Sequence, residues 1–359
     1  FPSSNETQLQ VDVDPGDLPG DGNKSNPYEI SNVSELQAME DDLDATYVLV
    51  SDIDASDTAQ FNNGSGFDPI AGDGPLFENS FEGSLDGNNH SITNLTIDRP
   101  NESYVGVFGE IDQESDGIKN LTLINLTATG KSHVGGIAGF SRGTIQSVTV
   151  SGEVTGTNPD LSSVSEIGGI VGENDADIKN AISRTNVTAN QTLDVGGIAG
   201  FHSGGLIQNT TASGNITGKS IVGGLVGNNN AGGKIRNATA TGTVTGTGSD
   251  GGVGGLVGVN VKNITDASAS GSVNGSEDVG GLVGRNDGNV TDAFAVGPVS
   301  GDTNVGGLAG ESGFFGNITD ASASGGVNGS ENVGGLVGEN NGNVTTATAS
   351  GNVVATGDS

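Results

Sequence analysis

The 359 residues contain no cysteine and no tryptophan, and aromatic residues make up only 4%. Without cysteine there is no disulfide framework, no thiolate metal site and no thiol nucleophile. The shortage of aromatics argues against an ordinary thick core. Basic residues are also scarce: twelve Lys and Arg face 44 Asp and Glu, a formal charge of -32. The few cations are mostly isolated along the chain, so nothing resembles a nucleic-acid footprint or a patch for anionic lipid. No apolar run approaches the ~18 residues of a membrane span. The first residue is Phe1 rather than Met, which raises the expectation of a signal peptide or a longer N-terminal part ahead of it.

Self-repulsion at this charge opposes a compact fold in dilute buffer. In molar salt the Debye length shrinks to about 3 Å, and the same charge keeps the surface hydrated. A salt-adapted protein is therefore expected. Sixty-four glycines accompany a hydrophobic content of 32%. That content is mostly Val, Ile, Leu and Ala, too regular and too β-branched for plain disorder.

Repetition organises the chain. Val-Gly-Gly-(Ile/Leu)-(Ala/Val)-Gly, or a close variant, begins at Val134, Ile167, Val195, Val222, Val253, Val279, Val305 and Val333, with a degenerate copy at Val105. Spacings run from 26 to 33 residues. A second block starts at Ile145, Ile178, Ile207, Ile235, Ile264, Val290, Ile318 and Val344. Three and five residues on come small or apolar residues, such as Ala238 and Ala240. Nine on comes a β-branched one, such as Val187 or Val244. The offset between the two blocks varies from 11 to 13 residues, and that from the nine-on residue to the next Gly-Gly block from 6 to 13.

Fixed segments joined by elastic ones are what strands and turns look like when similar coils stack. Gly, Thr, Asn and Val content and short runs exclude helices here. The expected fold is all-β: a right-handed parallel β-helix (β-solenoid) with three short strands per coil and a short N-terminal capping helix. Roughly ten coils from Ile92 onward, at about 4.8 Å each, would span about 50 Å. Gly214, Gly242, Gly271, Gly325 and Gly351 read as corners needing positive φ.

Residues 1–26, with clustered Asp, Gly and Pro, read as an acidic tail or linker. Residues 27–100 read as an N-terminal cap of a helix plus the first coils, and 101–359 as the repeat solenoid. Ser34-Glu-Leu-Gln37 has a capping-box pattern, which predicts an amphipathic helix over 34–44. A strand follows from Tyr47 to Ile53, and a first coil or two from Phe77 to Ile97. A helix there would act as a lid over the solenoid's end.

The Gly-Gly-Leu-Val-Gly cores, Asn26-Pro-Tyr-Glu-Ile30, Asp52-Ile-Asp54 and Phe81-Glu-Gly-Ser-Leu-Asp-Gly-Asn88 resemble the GLUG-motif repeat proteins, over about residues 20–355. That family is associated with microbial surface adhesins and secreted proteins, and the acidic version resembles those of salt-loving archaea. The resemblance implies an extracellular, cell-surface location and a solenoid, and brings no catalytic signature.

Eight Gly-Gly blocks without a following helix are structural rather than a phosphate loop. His90, His133 and His202 lack ligand spacing and are read as surface residues. Asp52, Asp54, Asp57 and Asp86 could supply a carboxylate pair for glycoside hydrolysis, but such pairs arise by chance in so acidic a chain. Lys119, Lys179 and Lys234 come near to stacking, as a lyase for anionic sugars would want. Asp12, Asp14, Asp17 and Asp21 are weak Ca²⁺ candidates without EF-type spacing. No other cofactor is indicated.

The expected function is a non-catalytic structural or adhesive module of a cell surface, pilus, sheath or filament. The alternative is a secreted carbohydrate-active β-helix, a polysaccharide lyase or glycoside hydrolase. Expected partners are surface glycans or other surface proteins, together with head-to-tail self-assembly through the solenoid ends. In that assembly Leu9, Val11 and Val13 would serve as a donated strand. About twenty Asn-x-(Ser/Thr) sequons predict N-glycosylation, with Asn94, Asn120, Asn209, Asn215, Asn237, Asn263, Asn289, Asn317 and Asn343 as candidates. The competing reading is that the asparagines stack as ladders.

Overall fold

The computed structural model describes residues 18–72, 79–158, 165–189, 191, 194–230 and 232–357. The chain is a parallel β-solenoid. Its register runs without a break from Tyr28 to Tyr47, Leu85, Ile118, Ile145 and Ile178. Stacking therefore begins inside the N-terminal region and continues directly into the repeats.

Each coil has four strands rather than three, because the Gly-Gly block bends in its middle. One coil runs through Asp194–Gly196, Ala199–His202, Leu206–Ala212 and Ile216–Gly218. The segments after Gly-Gly form a separate sheet of nine strands, from Phe108–Ile111 to Val337–Asn340. The other segments wrap around as one large sheet.

Gly-Gly is required by space. A Cβ on Gly197, Gly224, Gly255, Gly281 or Gly307 would overlap the carbonyl oxygen of the equivalent glycine one coil on. The same Cβ would lie about 3 Å from Ala212, Ala240, Ala269, Ala295 or Ala323 across the interior. The alanine five residues into the second block thus faces the second glycine, and the solenoid is thin there. Elsewhere the interior is filled by buried ladders. Val195, Val222, Val253 and Val279 form one and Ile198, Leu225, Leu256 and Leu282 another, all at most 3% exposed. Each such side chain contributes roughly 1.5–3 kcal/mol on burial.

The corner glycines are explained differently from the sequence expectation. Gly214, Gly242, Gly271, Gly325 and Gly351 do not have positive φ. A Cβ on Gly242 would overlap Gly214 O, and one on Gly271 would overlap Gly242 O. Close approach between coils makes them glycine. Positive φ falls instead on Asn180, Asn209, Asn237, Asp266, Asp292 and Asp320, at 49–54°. Asn and Asp tolerate this left-handed conformation because their short polar side chains bond locally.

The N-terminal helix is shorter than predicted. An α-helix spans Val33–Gln37 and a 3-10 turn spans Ala38–Asp41. Asn32 caps it, accepting from the Ser34 and Glu35 amides, while Glu35 accepts from Ser31 N at 2.7 Å. The capping pattern is real but begins two residues earlier than Ser34. Glu40, Asp41 and Asp42 then stand at the C-terminal end, where negative charge opposes the helix dipole. Val33, Leu36 and Met39 are buried against the core. Tyr47, Phe81 and Phe108 belong to the same core and lie tilted against one another, with ring centroids 6.3 and 4.7 Å apart. The chain's few aromatics are concentrated at this end. The predicted strand Tyr47 to Ile53 appears as two, Thr46–Leu49 and Ile53–Asp54.

Candidate functional site

Two columns of side chains emerge side by side along the solenoid. One holds the residue before each Gly-Gly block: Tyr104, His133, Glu166 and Asp194 in successive coils. The other holds the sixth residue after the block's start, Phe140, Glu173, Phe201 and Asn228, with Glu110, fifth in the shorter first copy, paired beside Phe140. The last glycine of the block allows this closeness. A Cβ on Gly139 would strike Tyr104, and one on Gly200 would strike Asp194 O and Ile167 N.

Where the columns meet, His133 Nε2 lies 2.9 Å from Glu166 Oε2 and 3.4 Å from Glu173 Oε2. The first contact is an ion pair without hydrogen-bond alignment. His133 Nδ1 lies 3.4 Å from Ser132 Oγ, and Tyr104 stacks on the ring at 4.5 Å and 24°. Burial alone would lower the His133 pKa, but the Glu166 and Glu173 carboxylates outweigh it and push it up to about 9. Asp194 is pushed up to about 7 by burial and then by repulsion from Glu166. Tyr104 is pushed up to about 12, by burial and then by Glu173, Glu166 and Glu110.

Among the described residues, His133, Glu166 and Glu173 form the one group whose ligand atoms could close on a metal, all within 4.8 Å of one another. Further along the same columns, Arg285 Nε lies 3.3 Å from Asp287 and 3.4 Å from Glu311. Asn304 donates to Asp278 Oδ1 at 2.8 Å.

The expectation of three surface histidines holds poorly. His133 is largely buried, and His202 is fully buried. His202 belongs to a third column, an internal one, with Asn174, Asn229, Asn260 and Asn286. There Asn229 Nδ2 donates to Asn260 Oδ1, and Asn260 Nδ2 to Asn286 Oδ1, both at 2.8 Å. His202 Nδ1 faces Asn174 Nδ2 at 3.0 Å, while its Nε2 has no hydrogen-bond partner. His90 is part-exposed, 3.4 Å from Asp52.

The other sequence candidates disperse. Asp12, Asp14 and Asp17 lie outside the described residues, and Asp21 accepts from Asn26 Nδ2 at 2.9 Å. Asp52 is held below the usual carboxylate range by the Ser91 amide, and Asp54 by Asn94. Burial of Asp86 pushes it up, but Asn120, Asn88 and Lys119 prevail and lower it. Asp57 is exposed. Lys119 and Lys179 share a column with Gln146 between them, and Arg236 rather than Lys234 continues it.

The sequon asparagines occupy different columns. Asn120, Asn209 and Asn237 sit in one left-handed corner, and Asn94 in another, where Asn125 Nδ2 lies 2.9 Å from its Oδ1. Asn263, Asn289, Asn317 and Asn343 pair in register one residue before the second block. Both sets form ladders, with Asn237 Nδ2 2.7 Å from Asn209 Oδ1 and Asn289 Nδ2 3.1 Å from Asn263 Oδ1. Asn209, Asn215, Asn237, Asn263, Asn289 and Asn343 are nevertheless exposed.

The histidine–glutamate cluster escapes sequence reading because its members are 33 and 40 positions from His133. The signal was there in the columns immediately before, and six residues after, the start of each Gly-Gly block.

The GLUG motif is matched at residues 218–245. Halomucin of Haloquadratum walsbyi is 43% identical over 158 residues, covering 43% of this chain and 2% of that protein. A "Putative Gly-rich membrane protein" of Evansella cellulosilytica is 38% identical over 187 residues, covering 43% of this chain and 21% of that protein. The chain thus spans a small fraction of the curated relatives it matches. A solved structure described as a "putative immunoglobulin A1 protease" from Bacteroides ovatus aligns over 79% of each chain with a TM-score of 0.57 and 22% identity. At that identity the likeness concerns the fold alone. No helix among the described residues is long and apolar enough to cross a membrane.

Proposed function

Starting from a chain that is a GLUG-repeat β-solenoid, we propose that it is a non-catalytic structural or adhesive module at the surface of a salt-adapted cell. The observation that carries this reading is the continuous column of paired strands from Tyr28 to Val344 beneath an acidic, Asn- and Thr-rich exterior. A stack of this kind makes a hydrated rod whose outside accepts substitution without disturbing the core. The relation to halomucin supports it, as does the charge of -32. Immunogold labelling of intact cells in native brine tests it, together with attachment of cells carrying and lacking the chain. Label confined to the cell interior would overturn the surface role, and unchanged attachment would overturn the adhesive one.

The carbohydrate-active alternative fares worse on electrostatics. Glycosidic cleavage needs an acid held protonated near neutral pH and reachable by substrate. Of the carboxylates the sequence offered, Asp52, Asp54 and Asp86 are all held low. Asp194 is held high but only 8% exposed, and the reachable raised carboxylates, Glu82 and Glu311, lie in separate coils rather than as a facing pair. Surface glycans and neighbouring surface proteins are the partners that suit a rod of this kind. End-to-end stacking belongs to the same proposal, because coils that pair in parallel register within the chain can pair in the same way between chains. Sedimentation in molar salt of wild type and Val354→Lys tests it; identical monomeric profiles would exclude self-stacking.

A further inference from the structure

We propose that His133, Glu166 and Glu173 form a binding site for a divalent transition-metal ion of the zinc type, with Asp194 as a third carboxylate beside it. The geometry supports this first. Ligand atoms bonded to zinc at about 2.0–2.1 Å and disposed tetrahedrally stand roughly 3.3 Å apart. His133 Nε2 is 2.9 Å and 3.4 Å from the two glutamate oxygens, so a small relaxation admits the ion. Imidazole nitrogen together with carboxylate oxygen favours a transition metal over Ca²⁺ or Mg²⁺, which take oxygen ligands. Ser132 Oγ beside Nδ1 and the stacked Tyr104 ring fix the imidazole with Nε2 toward the carboxylates, the usual supporting arrangement of a histidine ligand.

The second support is independent of that cluster's spacing. Asp194 pairs in register with Glu166, is only 8% exposed, and its Oδ1 has no hydrogen-bond partner. Among the described residues, its Oδ2 receives a long 3.4 Å contact from Asn228 Nδ2. A buried carboxylate oxygen without a donor is costly unless a cation answers it.

Elsewhere along the columns the protein supplies that cation itself. Arg142 lies 2.8 Å from Glu110, and Arg285 lies 3.4 Å from Glu311. Among the described residues, no Lys or Arg makes an ion pair with Glu166, Glu173 or Asp194, and His133 alone serves the first two. The site opens through Glu173, whose side chain is 26% exposed, while Glu166 at 3% anchors it from within. The inference does not depend on the surface role proposed above.

Calorimetric titration with ZnCl₂ is the test, run in molar NaCl with excess MgCl₂ to occupy the outer carboxylates. One equivalent of Zn²⁺ should bind, and X-ray absorption should show only nitrogen and oxygen neighbours. His133→Gln and Glu173→Gln should each weaken binding on the order of 100-fold. Circular dichroism confirms that the variants remain folded; Glu173→Gln is the milder, being partly exposed. A tight site equally strong in both folded variants would overturn the proposal. Weak, many-site binding unchanged by either substitution would do the same.

Discussion

Replacing His202 with asparagine should remove a defined acid sensitivity from the solenoid. His202 is fully buried, and burial lowers its pKa to about 4. In the unfolded chain a histidine titrates near pH 6.5, so between these values the unfolded state holds more protons. Stability is therefore complete above about pH 6.5, falls by about 1.4 kcal/mol per unit as pH drops, and has lost roughly 3 kcal/mol by pH 4. Asn174, Asn229, Asn260 and Asn286 already occupy the equivalent rungs, so His202→Asn completes an existing ladder. At neutral pH the smaller side chain costs about 1 kcal/mol through the space it leaves. The assay is guanidinium unfolding of both proteins at fixed molar salt from pH 8 to pH 4. Titrating groups that do not interact with His202 cancel in the difference, and Asp177 is the neighbour whose titration shifts with it. The difference should favour the variant progressively below pH 6.5, whereas parallel curves would refute the reasoning.

Dialysis from molar to millimolar NaCl should lower the melting temperature, because unscreened repulsion among 44 acids acts against the folded state; an unchanged melt would dismiss salt adaptation. Gly281→Ala should cost about 2–3 kcal/mol, since its Cβ would overlap Gly307 O and press on Ala295; Gly326→Ala, where the nearest atom stands 3.8 Å away, should be close to neutral by the same denaturation assay. Intact-mass and glycopeptide analysis of the native protein should find sugar at exposed sequons such as Asn215 and Asn263, and an unmodified mass would leave the Asn ladders as their whole explanation.

The repeat spacing, the Gly-, Thr-, Asn- and Val-rich short runs and the recurring Val, Ile and Ala were sufficient to read a stacked coil from the sequence. Period and composition are local properties that survive without coordinates. The pairing of Ile145 with Ile178, or Val273 with Val299, follows directly from aligning the blocks. Why glycine stands at a given place was not legible in the same way. Positive φ and steric crowding both demand glycine, and only the neighbouring coil distinguishes them: Gly242 is crowded by Gly214, while the left-handed turn falls to Asn237.

The candidate site shows the same division. His133, Glu166, Glu173 and Asp194 are unremarkable residues in an acidic sequence, and their carboxylates are ordinary until burial and mutual repulsion act on them. Sequence determined which columns they occupy, through their offsets from the Gly-Gly blocks. Tertiary structure decided that two columns meet, because the bend within each block turns the chain back across a glycine with no side chain to hold them apart. Distance between columns depends on that fold in three dimensions, and no periodicity along the chain encodes it.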